Sequence, residues 1–555
     1  MKLKEIIKSI SRPERRFIII AIAIILVLSS LPYIYGWWQN PTESLYLGNY
    51  HRASGDYYVY MSMVEEAKSG AMSFHNLFTS EEHQPVLINP FWFGVGQFAR
   101  IFNIDTRLTI HIFRIALIFL TVPVIYLAMA TFIKTRALRY IAFILSITGS
   151  GWGYIYYRFF RPDIIRDLFY IDFFKAPTDI WLTEANSLLL FLSSPHFQAS
   201  LICLLFAIIF FYLGFRYGNF RYLAVSGLFN LALAFFHPYE TVYLVLLTGI
   251  FALIIIIGKF YRKDYRSGSQ YFFRYLVPNL IAAPGLLYQI YIFRMEPALR
   301  SWSEQSQTIS PSFKYYLLGW GILLPLALIG SVFLVKKTDQ RRLWLLVWCW
   351  GTIPLLYIPI AFNRRFAEGI FIPLGILSAV GIYFLYKKFR TKAGKTIYIL
   401  ALGIILALSL MPTNIYNLWS FIGIHDIYKS TPFYLPLKEY QALEWLKNNS
   451  TSADVVLSEH ISGFYIPAFT ARRVYIGHDL QTANFSEKKK NVNWFFKTQA
   501  DDNEKLTWLE TNNISFIFYG PNEQSNSILV PAEKDFLAEV YSNSQVQIFS
   551  LKKSP

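Results

Sequence analysis

Cysteine is almost absent from this sequence: its 555 residues include only Cys203 and Cys349, and both lie inside long apolar runs. Two isolated cysteines can build neither a disulfide framework nor a zinc ribbon. The sequence also lacks a Walker loop, a GxSxG elbow and an HExxH pair. These absences argue against the enzyme classes that such motifs mark.

Charged residues are scarce as well, at 16% of the chain, and they avoid the apolar runs. Transporters commonly carry ionisable groups at mid-membrane depth, so this scarcity favours chemistry at an interface over passage through a bilayer. The charge that remains is unbalanced, with a net value of +17 at pH 7. We interpret it as a cytosolic face attracted to anionic lipid, and we expect no nucleic-acid partner.

Apolar residues, by contrast, make up 54% of the chain and aromatic residues 18%, far more than in an ordinary soluble protein. We therefore predict a multi-pass α-helical membrane protein with about eleven spans, since a helix of about 20 apolar residues crosses a bilayer. The predicted spans are residues 17–36, 108–133, 138–157, 197–215, 220–236, 239–258, 272–293, 315–335, 343–361, 367–386 and 396–412.

Lysine and arginine alternate between the two sides of these spans. By the positive-inside rule, the basic segments are predicted to be cytosolic, and the amino terminus with them. They are residues 1–16, 134–139, 216–221, 259–274, 336–342 and 387–395. The first apolar run is too long for a signal peptide and has no cleavage site before Trp37, so we expect it to remain in the mature chain of a plasma-membrane protein.

The outward face is predicted to carry two long loops, residues 38–107 and 158–196, and the C-terminal part of the chain. We predict a transmembrane domain over residues 1–412 and a small extracytoplasmic α/β domain over residues 413–555, where helical and extended stretches alternate. The stretches are helical over 437–448 and 502–511, and extended over 454–458, 472–476, 515–519 and 546–551.

Asp56 lies just after the first predicted span, between Gly55 and a run of aromatic residues. It is predicted to open a short amphipathic helix over 57–69, and a second such helix is predicted over 89–101. A carboxylate at a helix start can be a cap and nothing more. The same group can also act as a general base or bind a metal ion, and the two interpretations are compatible.

His237 and Glu240 flank a proline at the predicted outer ends of two spans. A histidine and a glutamate three residues apart at a helix start suit a metal ion or a phosphate. A turn with proline at the first helical position would need no ligand. His196, which follows Pro195 at another predicted outer helix start, is a similar candidate.

Arg364 and Arg365 lie in a short outer connection and so oppose the charge bias. Two adjacent arginines, with Glu368 close behind, can bind a phosphate or pyrophosphate, or can anchor the chain in lipid headgroups. Arg158 and Arg161 could bind phosphate likewise, although acids in their loop could simply pair with them.

The predicted tail domain contains two further polar motifs, Arg472-Arg473 and Gly477-His478-Asp479. They could form a second polar site, but a solvated surface is the simpler interpretation. The glycine-rich stretch 149–153 lies at the end of a predicted span, where we expect close helix packing.

Taken together, these features resemble the GT-C superfamily of polyprenyl-phosphate-dependent glycosyltransferases. The resemblance covers nearly the whole chain and depends more on architecture than on any single motif. Its landmarks are Gly55-Asp56-Tyr57-Tyr58-Val59-Tyr60, His237-Pro238-Tyr239, Arg364-Arg365-Phe366 with Pro373, and Arg472-Arg473-Val474-Tyr475 with Gly477-His478.

The resemblance implies inverting transfer of a sugar from a polyprenyl phosphate or pyrophosphate to a glycan, lipid or protein acceptor outside the membrane. Asp56 matches the position of the family's first-loop acid, which deprotonates the acceptor or helps to hold a divalent metal ion. Arg364 and Arg365 would neutralise the departing phosphate. Metal dependence varies in the superfamily, so a divalent metal cofactor stays open, with His237 and Glu240 as the places to look.

Several relatives use a second acid, for which Glu81, Glu82, Asp163 and Asp172 are available here. Other functions compete with transfer. An O-antigen type polymerase or ligase would share the lipid-linked donor, a flippase or transporter would move a lipid-linked substrate, and a scaffold would only present the tail domain.

Overall fold

The computed structural model describes residues 3–50, 54–161, 175–336, 339–389, 395–525 and 527–552. The described chain divides into two compact units, each built from segments that are distant in sequence. The helical unit comprises residues 1–34, 112–289 and 308–424. The mixed unit, which contains both helices and strands, comprises residues 35–111, 290–307 and 425–555.

Long apolar helices dominate the chain, as predicted. Seven described helices are long and apolar enough to cross a membrane. They are Arg12–Trp38, Thr106–Phe132, Pro195–Tyr217, Pro238–Tyr261, Tyr265–Met295, Asn363–Lys388 and Ile399–Ile427. Each overlaps a predicted span, so the prediction of a multi-pass helical protein is confirmed to this extent.

The other four predicted spans have shorter or broken helices. Residues 315–335 form two helices bent by 84°, Phe313–Trp320 and Leu323–Val335, which would make an eighth span if counted as one. The remaining three predicted spans correspond to Arg136–Ile147 followed by Gly153–Phe160, to Phe220–Phe236 and to Gln340–Leu355. The count of about eleven therefore remains a prediction.

Glycines account for the break after Ile147. A Cβ atom on Gly149 would overlap the ring of Phe371, and one on Gly151 would overlap the carbonyl oxygen of Leu318. The backbone of Trp152 donates a hydrogen bond to the same carbonyl, at 2.8 Å. The glycine-rich stretch thus serves close packing, as predicted.

A second group of glycines brings three helices of the helical unit together. A Cβ on Gly330 of Leu323–Val335 would overlap the carbonyl of Leu377, and one on Gly381 of Phe371–Phe389 would overlap that of Leu326. Gly375 makes a similarly close approach to Arg136–Ile147. Such backbone contact is how membrane helices associate without a hydrophobic driving force.

The mixed unit contains the two predicted amphipathic helices, as Ser54–Lys68 and Pro90–Phe102. A Cβ on Gly96 of the second helix would overlap that of Ala67 in the first. The C-terminal helices of this unit are Leu437–Asn449, Ser462–Thr470, Phe485–Lys497, Asp502–Thr511 and Pro521–Gln524. The first and fourth were predicted from the sequence.

Two sheets complete the mixed unit. Strand β1 (Ser44–Tyr46) pairs antiparallel with β2 (Tyr434–Pro436). The second sheet is five-stranded, with the order β4-β3-β5-β7-β6, parallel on one side and antiparallel on the other. Its strands are β3 (Val455–Leu457), β4 (Arg473–Val474), β5 (Ile514–Tyr519), β6 (Leu537–Ser542) and β7 (Gln547–Leu551). The predicted α/β character of the tail is confirmed.

The predicted division at residue 412 falls within a continuous helix, Lys395–Ile427. Pro412 lies inside this helix without ending it. The compact units do not follow the predicted domains either, because the mixed unit includes the first predicted outer loop as well as the tail. Which residues are embedded in the membrane remains a prediction.

Candidate functional site

The arginine pair lies on a short 3-10 turn, Asn363–Ala367, in the helical unit. The backbone of Arg364 donates to the carbonyl of Thr308 at 3.2 Å. The Asn363 side chain accepts from the backbone of Ser310 at 2.7 Å and donates to the carbonyl of Ile358 at 2.9 Å. These bonds fix the backbone that carries both guanidinium groups.

A buried acid faces one of the two arginines. Arg365 forms an ion pair of 2.5 Å with Glu184, whose side chain is only 3% exposed. Burial alone would raise the pKa of Glu184, but Arg365 and then Arg364 hold it below its usual range. Glu184 is therefore a carboxylate at neutral pH, and it orients Arg365.

Aromatic rings support both guanidinium groups. Arg364 lies 4.9 Å from the ring centroid of Trp181, and Arg365 lies 5.5 Å from that of Tyr239. Cation–π contacts of this kind favour arginine over lysine. The pair is thus held in place before any ligand arrives.

Three buried side chains converge beside Tyr239. They are His237, which caps helix Pro238–Tyr261, Glu240 in the first turn of that helix, and Glu368, which follows the arginine turn. One donor atom from each lies within 4.8 Å of the others. His237 Nδ1 contacts the Glu240 carboxylate and lies 3.6 Å from that of Glu368. This donor set could hold a metal ion.

His196 adjoins this group. Its ring centroid lies 5.5 Å from that of His237, and its Nδ1 lies 2.7 Å from the hydroxyl of Ser194. Both histidines are buried at the starts of helices with proline in the first position, as the sequence indicated. Five predicted site residues therefore lie in one region of the helical unit: His196, His237, Glu240, Arg364 and Arg365.

Two residues of this region were not predicted as site residues. Glu184 belongs to loop 158–196, whose acids were expected only as partners of Arg158 and Arg161, and Glu368 was noted only as a neighbour of the arginines. No local pattern distinguishes either from a solvated acid. Their significance depends on burial and on partners that are distant in sequence.

Arg158 and Arg161 lie at the C-terminal end of helix Gly153–Phe160, where Arg158 is exposed. Their phosphate-binding role remains a prediction. The candidate second acids Asp163 and Asp172 fall outside the described residues.

In the mixed unit, Asp56 lies in the first turn of helix Ser54–Lys68, as predicted. Its carboxylate, 43% exposed, lies 3.3 Å from Nε2 of His478. The backbone N–H of Leu480 points at Nδ1 of the same ring, at 3.2 Å. Nε2 faces Asp56, and a ring that carries its proton on Nε2 donates it to this carboxylate. The Asp479 carboxylate lies 3.3 Å from Nδ1.

The interpretation of His478 as part of a solvated surface is wrong. Its side chain is only 6% exposed, because the rings of Phe78 and Phe464 pack around it at centroid distances of 6.1 and 5.6 Å. A Cβ on Gly55 would lie 2.9 Å from Phe464 and 3.2 Å from His478 Nε2. Glycine at this position thus lets the ring approach Asp56.

The two candidate second acids of the mixed unit differ in environment. Glu82 is exposed, whereas Glu81 pairs with Lys488 at 2.8 Å. Burial raises the pKa of Glu81, but Lys488 outweighs burial and holds it below its usual range. The described contacts of Glu81 are those of a structural ion pair.

Comparison with solved structures identifies the fold. The oligosaccharyltransferase of Archaeoglobus fulgidus, solved with a tethered acceptor peptide, matches with a TM-score of 0.57 and 14% identity, over 91% of this chain and 69% of its own. ArnT from Cupriavidus metallidurans, bound to undecaprenyl phosphate, matches with a TM-score of 0.50 and 10% identity, over 97% and 98% of the two chains.

The mycobacterial arabinofuranosyltransferase AftD matches with a TM-score of 0.51 and 12% identity, over 97% of this chain and 41% of its own. All three are GT-C glycosyltransferases, so the chain has the GT-C fold that the sequence resemblance predicted. No model of a known protein family matches the sequence, and no curated protein sequence matches it either.

Proposed function

We propose that this protein is a membrane glycosyltransferase that moves a sugar from a polyprenyl phosphate or pyrophosphate to an acceptor on the extracytoplasmic side. The observation that carries this proposal is a half-buried, pre-oriented arginine pair within a GT-C fold. Two similar structures support the substrate class, since ArnT was solved with undecaprenyl phosphate and the archaeal oligosaccharyltransferase AglB with a dolichol-phosphate.

Arg364 and Arg365 are the proposed phosphate ligands. Guanidinium groups match phosphate geometry and stay charged at any physiological pH. Glu184 offsets part of this charge through its pair with Arg365, and it holds that side chain in one orientation. An anionic donor would complete the neutralisation, and the arginines would stabilise the phosphate as it leaves.

Asp56 is the proposed general base. Its exposed carboxylate would take the proton of an acceptor hydroxyl while the acceptor oxygen bonds to the anomeric carbon of the sugar. The bond from that carbon to the phosphate oxygen then breaks, and the lipid phosphate departs with the electron pair. His478 acts as a positioning residue, because its Nε2–H holds the carboxylate that must receive the proton.

Transfer from a radiolabelled polyprenyl-phosphate sugar in proteoliposomes tests the proposal. Replacing Asp56 by Asn removes the base, and we expect a rate lower by about 10²- to 10⁴-fold. Asp501→Asn is the matched control, because Asp501 is an exposed acid whose described hydrogen bond caps helix Asp502–Thr511. It should transfer at the wild-type rate.

Equal rates for wild type and Asp56→Asn would remove Asp56 from the mechanism and leave it as a helix cap. No transfer from any lipid-linked donor, in a preparation that binds polyprenyl phosphate, would contradict the proposed reaction. That result would favour the flippase or transporter alternative.

A further inference from the structure

We propose that the helical unit contains a binding site for a divalent transition-metal ion, formed by Nδ1 of His237 and the carboxylates of Glu240 and Glu368. These three donor atoms come from a helix start and from the segment after the arginine turn, and they lie within 4.8 Å of one another. Metal–ligand bonds of about 2.0–2.2 Å to nitrogen and oxygen place the donor atoms of one ion roughly 3 to 4 Å apart, which is within this limit.

The two carboxylates are the main support for a bound cation. Glu240 and Glu368 are completely buried, and their four oxygen atoms lack a well-aligned hydrogen-bond donor among the described residues, although the His237 ring and the Ser200 hydroxyl lie close to them. Ser200, the neighbouring hydroxyl, lies 3.1 Å from His237 Nδ1. Two adjacent buried carboxylates with so few donors are costly unless a positive charge lies between them or one of them is protonated.

The neighbouring arginines have described partners of their own. Arg365 has its ion pair with Glu184, and Arg364 lies against Trp181. Among the described residues, the His237 ring is the basic group that lies beside both carboxylates. The competing explanation is a proton shared between Glu240 and Glu368, which would need no metal ion.

The donor set indicates the class of ion. One imidazole nitrogen with two carboxylates suits Zn²⁺, Mn²⁺ or Fe²⁺, whereas Mg²⁺ and Ca²⁺ prefer sites made of oxygen alone. Three protein ligands leave further coordination positions for water or for an anionic ligand. Whether a donor phosphate takes such a position depends on the proposed function, but binding of the ion does not.

Binding is measured on the full-length protein in detergent, after treatment with EDTA and dialysis against Mn²⁺ or Zn²⁺. Elemental analysis should find about one ion per chain in the wild type, since the cluster supplies three protein ligands. Glu240→Gln and Glu368→Gln should each weaken binding at least about tenfold.

Glu14→Gln is the matched control, because Glu14 is a buried acid of the same unit whose carboxylate accepts hydrogen bonds from Ser11 and pairs with Arg139. It should bind the ion as the wild type does.

A second measurement uses the wild type alone, so it does not require that the variants fold. Adding Mn²⁺ or Zn²⁺ to the metal-free wild type should raise its midpoint of thermal unfolding, because an ion that binds only the folded state stabilises it. Absence of bound metal together with an unchanged midpoint would overturn the proposal in favour of the shared proton. Unchanged binding in both glutamine variants would overturn it as well. Stoichiometric metal without sugar transfer would contradict the proposed function alone.

Discussion

At the scale of single residues, the neighbour of Asp56 matters as much as Asp56 itself. His478 is 422 residues away in sequence, yet its ring is held from the other side by a backbone N–H, so that Nε2–H points at the carboxylate. A group held this way gives up less conformational entropy when it reacts.

Replacing His478 by Gln should retain most of the transfer activity, because the glutamine amide can also donate a hydrogen bond to Asp56. His478→Ala should lower kcat by about tenfold, which corresponds to roughly 1.4 kcal/mol. Steady-state kinetics in proteoliposomes measures both variants. Similar losses in the two, accompanied by a lower unfolding midpoint, would show that His478 contributes only to packing.

Glu523 predicts a pH dependence of stability. Burial raises the pKa of this carboxyl from 4.5 to about 7, although backbone N–H groups of Glu459 and Gly520 bond to it. The folded state therefore holds a proton that the unfolded state releases at lower pH. Stability should fall as pH rises from about 4.5 to about 7 and then level off.

The measurement is the unfolding midpoint of wild type and Glu523→Gln between pH 4.5 and 8. The glutamine variant cannot titrate, so the difference between the two midpoints should change across this range. A constant difference would show that Glu523 keeps its ordinary pKa in the folded protein.

The sequence was informative about which residue types carry chemistry, and less so about their partners. His237, Glu240, Arg364 and Arg365 stood out because charge is unusual at span ends. Glu184 did not stand out, since nothing near it in sequence indicates that Arg365 will reach it. A contact between distant segments depends on the packing of several helices, which a single sequence does not encode in any local pattern.

At the scale of helices, glycine sets how closely three of them approach. Three helices pack backbone against backbone at their glycines. They are Leu323–Val335, Phe371–Phe389 and Arg136–Ile147. Hydropathy predicted a span for each of these three helices. It did not show that the run 315–335 bends before Leu323 or that the helix from Arg136 ends at Ile147, because both effects arise from packing against neighbouring segments.

Gly381→Val should destabilise the protein by about 1–3 kcal/mol or more, since the added atoms meet the carbonyl of Leu326 and backbone cannot move aside easily. Gly403→Val is the control, because no atom lies within 4 Å of the position where its Cβ would be. Thermal unfolding in detergent compares the two. Equal midpoints would show that the close helix contact tolerates a side chain.

At the scale of the whole molecule, the predicted membrane orientation rests on the distribution of lysine and arginine. Exposed serines allow a test in a variant without Cys203 and Cys349. In right-side-out vesicles, an impermeant maleimide should label Ser544→Cys in the tail and leave Ser269→Cys, in a predicted cytosolic segment, unlabelled until the vesicles are opened. The reverse pattern would invert the predicted topology.

The GT-C fold could be predicted from the sequence because its evidence is spread over the whole chain: the repeated apolar runs, the charged connections and the mixed tail. Helix Phe485–Lys497 was not predicted, because its three successive lysines obscure the apolar face formed by Val492, Phe495 and Phe496. The compact units were not predicted either, because they depend on contacts between distant segments.

The pairing of β1 with β2 has a consequence for biosynthesis. The mixed unit combines segments that are far apart in the sequence, and a ribosome delivers residues 35–111 long before residues 425–555. Domains generally fold as they emerge, but this unit must wait for the last segment. Until then the first loop has neither its partner strand nor His478. A nascent or truncated chain that lacks residues 425–555 would therefore lack the contact between Asp56 and His478, and the mixed unit would be completed only after this segment has been made.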